Sequence, residues 1–218
     1  YHYYNKKQFV ETVGKSALPD ALKLNGLLSP NIQKNVVQLL LDFATEKLPT
    51  SDSIKIGNLT IDKNPKLTNP FVLEFILDIL DHLEEKTVNS IFQIIVKIAE
   101  ENTRNLEGLA ETKIVKFILD KYEKLLLDTK HPIHPFLLRI VELVSCYRIT
   151  PEEWRILFRL LNQQDFPPVL LNLIVSAAKN GNGIAFVDLE HNSCLSVSSF
   201  DRYICQSTAG YTFSCWFS

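Results

Sequence analysis

Apolar residues recur at helical steps along most of this chain, and the densest run lies between Phe71 and Leu83. There Phe71, Val72, Phe75, Ile76, Ile79, Leu80 and Leu83 cover most of a helix circumference. Glu74, Asp78, Asp81 and Glu85 fall at steps of three and four and form one narrow acidic stripe. A helix this apolar is predicted to be wrapped by neighbours. The next run, Thr87 to Glu101, is predicted to bury Val88, Ile91, Phe92, Ile95, Ile98 and Ala99 and to expose Asn89, Gln93, Lys97 and Glu100. Together the two runs predict an antiparallel helical hairpin. Lys113 to Leu127, Pro135 to Tyr147, Pro151 to Leu161 and Pro168 to Ala178 continue the pattern, the last three with very short connections.

Several helix starts are written into the sequence. Ser29-Pro30, Asn69-Pro70 and Thr150-Pro151 each set a capping side chain before a proline whose missing N–H costs nothing in a first turn. Thr150 also has Glu153 three positions on, the spacing of a capping box. His134-Pro135 and Phe166-Pro167-Pro168 open two further segments. Consecutive helices with short turns and no strict repeat period predict an all-α fold over residues 1–180, an armadillo-like or HEAT-like helical array. A closed helical bundle is the rival arrangement.

Two stretches break the helical pattern. Pro49 to Asn69 is too long and too polar for a helix turn, and within it Ser53 to Asp62 reads as two alternating arms around Gly57-Asn58. This predicts a small β-hairpin insertion on the array's surface, with an unstructured loop as the alternative. The second break is at Gly181, after which lysine disappears, serine becomes frequent and three of the four cysteines occur. Gly183 to Leu189, Ser193 to Val197 and Tyr211 to Phe217 alternate in two-residue steps and predict half-buried antiparallel strands over 181–218. Tyr211, Phe213, Cys215 and Phe217 share one face that three short strands cannot cover. The segment is therefore expected to be an incomplete sheet, resting on its own helices or pairing with a second chain. The change of style, a last strand that ends the chain and the absence of any Met suggest an excised piece of a larger protein.

Composition narrows the partners. The 23 Lys and Arg against 25 Asp and Glu give a formal charge of −2, with no broad basic field for a phosphate backbone, so nucleic acid is not an expected partner. The longest apolar stretch, Val169 to Ala178, is far shorter than the ~20 residues of a membrane span. Cys146, Cys194, Cys205 and Cys215 form no Cys-x-x-Cys pair, which points to a reducing compartment. Asn58-Leu59-Thr60 matches the glycosylation sequon, a short pattern that arises often by chance.

Candidate chemistry is sparse. His131 and His134 have the spacing of a metal pair, but prolines keep them off a regular helix and no Cys or carboxylate cluster is near in sequence, so a loop between helices is the better reading. Asp188, Glu190 and His191 could imitate an acid–base set, yet they sit at a strand end where polar residues are ordinary. The acidic stripe reads as a solvated face or as a docking edge for a basic partner. No nucleophile elbow, phosphate loop or dinucleotide fingerprint occurs, so no catalytic residue, cofactor or metal is expected. Trp216 lies on the polar face of the last strand, where an exposed indole calls for a neighbour.

Two stretches resemble the BEACH-domain family of very large trafficking proteins. Ile149 to Trp154, with Leu157, Leu160 and Leu161, is similar to the last helices of that family's armadillo-like region. Gly183 to Leu189, Ser193 to Val197 and Gly210 to Phe217 are similar to the opening of the concanavalin A-like lectin domain that follows it. The resemblance implies a non-catalytic cytosolic scaffold in vesicle traffic, vacuolar or lysosomal sorting, or autophagy, working through protein contacts. It implies peripheral membrane association through parts of the parent outside this chain. Binding of carbohydrate or lipid headgroups by the lectin-like part is the alternative.

Overall fold

The computed structural model describes residues 17–45, 52–161 and 168–180, all within a unit that runs Tyr1–Asn182. The strands expected after Gly183 lie outside the described residues, as do Asp188, Glu190, His191 and Trp216. The protein is mostly helical, with one small antiparallel sheet of two strands among the described residues. In chain order the elements are α1 (Ala17–Leu24), α2 (Gln33–Thr45), β1 (Ser53–Ile56), β2 (Leu59–Asp62) and α3 (Pro70–Ile79). A short 3₁₀ turn, Leu80–His82, leads to α4 (Glu85–Glu101), α5 (Thr103–Glu111), α6 (Ile114–Lys121) and α7 (Glu123–Leu127). The last three are α8 (His134–Tyr147), α9 (Pro151–Leu161) and α10 (Pro168–Asn180).

Packing joins helices both near and far in chain order. Helix α3 lies on α1 and α2, α4 on α5, and α8 is the hub, touching α4, α5, α6, α7 and α10. The apolar faces meet there, with Ile91, Ile95, Ile98, Leu137, Ile140 and Val141 wholly buried. Burying each such side chain stabilises the fold by about 1.5–3 kcal/mol. The expected pairing of Phe71–Leu83 with Thr87–Glu101 is not formed, because α3 has α2 as its main neighbour and α4 has α8.

The apolar run after Pro70 is shorter than its periodicity suggests. Helix α3 stops at Ile79, and Leu83 turns extended at φ −100° and ψ 154°. The buried amide of Gln33 draws the chain aside, its Oε1 accepting the N–H of Glu84 at 2.9 Å. A continued helix would have given that N–H to its own carbonyls. Lys113 to Leu127 likewise divides into α6 and α7 at Tyr122, whose ring sits edge-on to Phe92 at 5.5 Å.

The hairpin is present, and it is not a surface insertion. Strands β1 and β2 pair Ser53 with Asp62 and Ile56 with Leu59. Gly57 at φ +58° supplies the turn conformation that L side chains avoid. A Cβ there would also collide with Ser90 Oγ on α4. Leu59 and Ile61 are buried in the common core. The edge of β2 is closed by Gln38 of α2, whose Oε1 accepts from Thr60 N–H at 2.8 Å and whose Nε2 donates to Thr60 O at 2.9 Å. At the tip, Asn58 Nδ2 donates to Thr87 Oγ1 at 2.9 Å, so the nitrogen that glycosylation would need is engaged inside the fold.

The loop after the hairpin is fixed by Asn105 of α5, a helix that the apolar pattern does not announce. Asn105 is fully buried; its Oδ1 accepts from Leu67 N–H at 2.8 Å, and its Nδ2 donates to Pro65 O and Ile98 O at 2.8 Å each. Gly108, one turn on, lets this loop approach, since a Cβ there would stand 2.9 Å from Leu67 and 3.0 Å from Pro70. Asn69 does not cap its own helix. Its Nδ2 instead donates to Phe43 O at 2.6 Å, tying α3 to the end of α2.

Candidate interaction groove

Two turns converge beside the hub helix. Helix α5 ends at Glu111, and the chain reaches α6 through Lys113, held in the left-handed region at φ 54° and ψ 32°. This costs a residue with a Cβ about 1–2 kcal/mol. The turn is held by Lys113 N–H donating to Ala110 O at 3.1 Å and Thr112 Oγ1 donating to Leu109 O at 2.7 Å. Opposite, α8 gives way to α9 at Arg148, and Thr150 and Glu153 close the predicted capping box. Thr150 N–H and Oγ1 donate to Glu153 Oε2 at 2.7 and 2.8 Å, and Glu153 N–H donates back to Thr150 Oγ1 at 3.3 Å.

Between these turns lies a groove of ≈ 390 Å³. Its apolar lining comes from Ala110, Val115 and Val144, and its charged rim from Lys113 and Lys116 on one side and Arg148 and Glu152 on the other. Glu111 and Glu153 also line it. Lys116 and Glu152 form an ion pair across the groove between α6 and α9. Their mutual hydrogen bond holds the Lys116 ammonium above its ordinary range and the Glu152 carboxyl below its own. Glu153 is buried and spends its carboxylate on the capping box. Among the described residues Lys113, Arg148 and the nearby exposed Arg155 make no ion pair, and neither does Glu111.

The residues singled out from sequence are distributed differently. Glu74 and Asp78 lie on α3, Asp81 in the 3₁₀ turn and Glu85 at the start of α4. The break at Ile79 thus divides the predicted single stripe, and Asp81 pairs with Lys121 at 2.6 Å. His131 turns its Nδ1 to accept from Ile133 N–H at 3.3 Å, while His134 is buried at the start of α8. Among the described residues no group of three or more His, Cys, Asp or Glu side chains is placed to hold a metal ion, and no helix is long and apolar enough to cross a membrane.

The groove was not anticipated. The capping box marks its α9 edge, but Glu-Thr-Lys-Ile at 111–114 lacks the glycine that would advertise a left-handed turn.

No protein-family model matches the chain, and no solved structure matches it. It is similar to Protein SPIRRIG of Arabidopsis thaliana, a large plant protein of the BEACH-domain type, at 22% identity over 246 aligned residues. The alignment takes in 98% of this chain and spans 7% of that relative's length.

Proposed function

We propose that this chain is a non-catalytic interaction segment of a BEACH-type protein acting in membrane traffic, with vacuolar or lysosomal sorting or autophagy as its setting. The single observation that carries the reading is the similarity to SPIRRIG along 98% of the chain. The mostly helical fold is compatible with it, and the reading takes the helices packed about α8 as part of an armadillo-like array, whose faces serve as protein-binding surfaces. The reading places the chain in the cytoplasm, peripheral to endosomal or vacuolar membranes.

Proximity labelling tests this reading. A biotin ligase fused to the full chain is expected to label endosomal and vacuolar or lysosomal trafficking components above a ligase-only control. Labelling indistinguishable from that control would overturn it.

A further inference from the structure

We propose that the outer edge of β1 is a binding site for an extended segment of a partner protein, which adds a third strand to the hairpin. The inference rests on the scaffold reading only in taking the ligand to be protein; the choice of an extended one comes from the edge itself. In the hairpin's register Ile54 and Ile56 exchange ladder bonds with Ile61 and Leu59, so the backbone groups of Ser53 and Lys55 on one side, and of Thr60 on the other, point away from the ladder. On the β2 side Gln38 meets Thr60 with a donor and an acceptor at once. On the β1 side the N–H and C=O of Ser53 and of Lys55 have no hydrogen-bond partner among the described residues, and both residues are exposed.

The apolar layer beneath the hairpin runs on past this edge. Ile54, Ile56, Leu59 and Ile61 share the inward face, yet Leu59 and Ile61 are buried while Ile54 and Ile56 are only half-buried. An open backbone edge beside an uncovered aliphatic margin fits an extended chain, whose backbone answers Ser53 and Lys55 while an apolar side chain covers Ile54 and Ile56 and the alternate side chains stay in water. A helix has already spent its backbone groups and cannot meet both residues. A second copy pairing antiparallel through the same two residues would set each Lys55 diagonally against the other on one face, a like-charge contact that an uncharged strand avoids. Leu59, Ile61 and the Gln38 bonds anchor the hairpin in the fold, so the edge is ordered before the ligand arrives and only the ligand loses freedom.

Fluorescence anisotropy on the full chain tests the edge, using labelled peptides that alternate Val or Ile with Thr. Two comparator sets carry N-methyl groups, one on the Thr amides and the other on the aliphatic amides. The parent peptides are expected to bind, and methylation of one set should weaken binding at least roughly tenfold while methylation of the other leaves it, because only alternate amides of a paired strand face β1. Lys55→Pro removes an outward donor while sparing the ladder to β2, and Ile54→Ala thins the apolar margin. Each should weaken binding, Lys55→Pro by roughly tenfold, with the parent's far-UV circular dichroism retained. Lys23→Gln on α1 should leave it unchanged. No binding by the parent peptides, equal affinity of the two methylated sets, or full affinity in both edge variants overturns the proposal. So does a rise in mass with protein concentration, followed by light scattering, that Lys55→Pro abolishes, which would assign the edge to a second copy. If the edge fails while proximity labelling still reports trafficking neighbours, the scaffold reading stands and only the site is lost.

Discussion

At the scale of single residues, the fold depends on polar side chains placed where apolar periodicity gives no information. Asn105 joins the loop at 65–67, the end of α4 and the start of α5 without contact with water. Asn105→Ala strands buried backbone groups, each costing about 1–3 kcal/mol. We expect the urea midpoint to fall by an amount equivalent to at least about 2 kcal/mol, with cooperativity retained. Lys113→Gly should act in the opposite direction, stabilising by up to about 1 kcal/mol through release of the left-handed strain; a loss of stability would mean that the Lys113 side chain contributes packing. Tyr122 gives a pH signature. Burial, reinforced by Asp81, pushes its phenol up to about 12 from the ordinary 10. The folded state therefore holds this proton more tightly than the unfolded state does. The associated stability is complete below about pH 10 and is lost as pH rises towards 12. Tyr122→Phe should flatten that part of the alkaline stability curve relative to the parent, and identical alkaline slopes would contradict the assignment.

At the scale of elements, the hairpin is the clearest departure from an expected surface decoration. It wedges between α2 and α4, with Leu59 and Ile61 in the core and Gln38 completing its edge as a neighbouring strand would. Leu59→Ala is expected to cost about 2–5 kcal/mol, as for other buried leucines, and replacement of residues 53–62 by a Gly-Ser loop should abolish cooperative unfolding. Far-UV circular dichroism during a thermal scan checks both. The hairpin was legible because Gly57-Asn58 between alternating arms is a local signal; its burial was not, because Gln38, Thr87 and Ser90 supply the contacts from other helices. The same division holds elsewhere. Thr150 and Glu153 announced α9 through groups within one turn, and Pro70 marked the start of α3, although Asn69 spends its side chain on α2 and does not cap the helix. Helix α5 was missed because Gly108 and its few apolar residues give a weak pattern, although Asn102 capping Asn105 N–H at 2.9 Å is a local start signal. The breaks at Leu83 and Tyr122 were missed because their causes, Gln33 and Phe92, are far away in sequence. The groove, made from two turns and the end of α8, belongs to this second kind.

At the scale of the whole molecule, adjacent helices are fastened at the surface by ion pairs that cross between elements. Arg139 reaches Glu100 at 2.9 Å, Lys121 reaches Asp81 at 2.6 Å and Arg159 reaches Glu123 at 3.3 Å. Each contributes at most about 1 kcal/mol in water, so the helical unit is held chiefly by the core around α8. The central proposal is that the chain serves membrane traffic through protein contacts, and delivery of an endocytosed fluorescent cargo to the lysosome or vacuole tests it most directly. Cells would be compared in which the gene encoding this chain is intact or lacks the codons for residues 17–180. The account predicts delayed or misdirected cargo in the deletion, restored by a copy with the segment intact. Normal delivery in the deletion, with the shortened product present at the normal level, would contradict it.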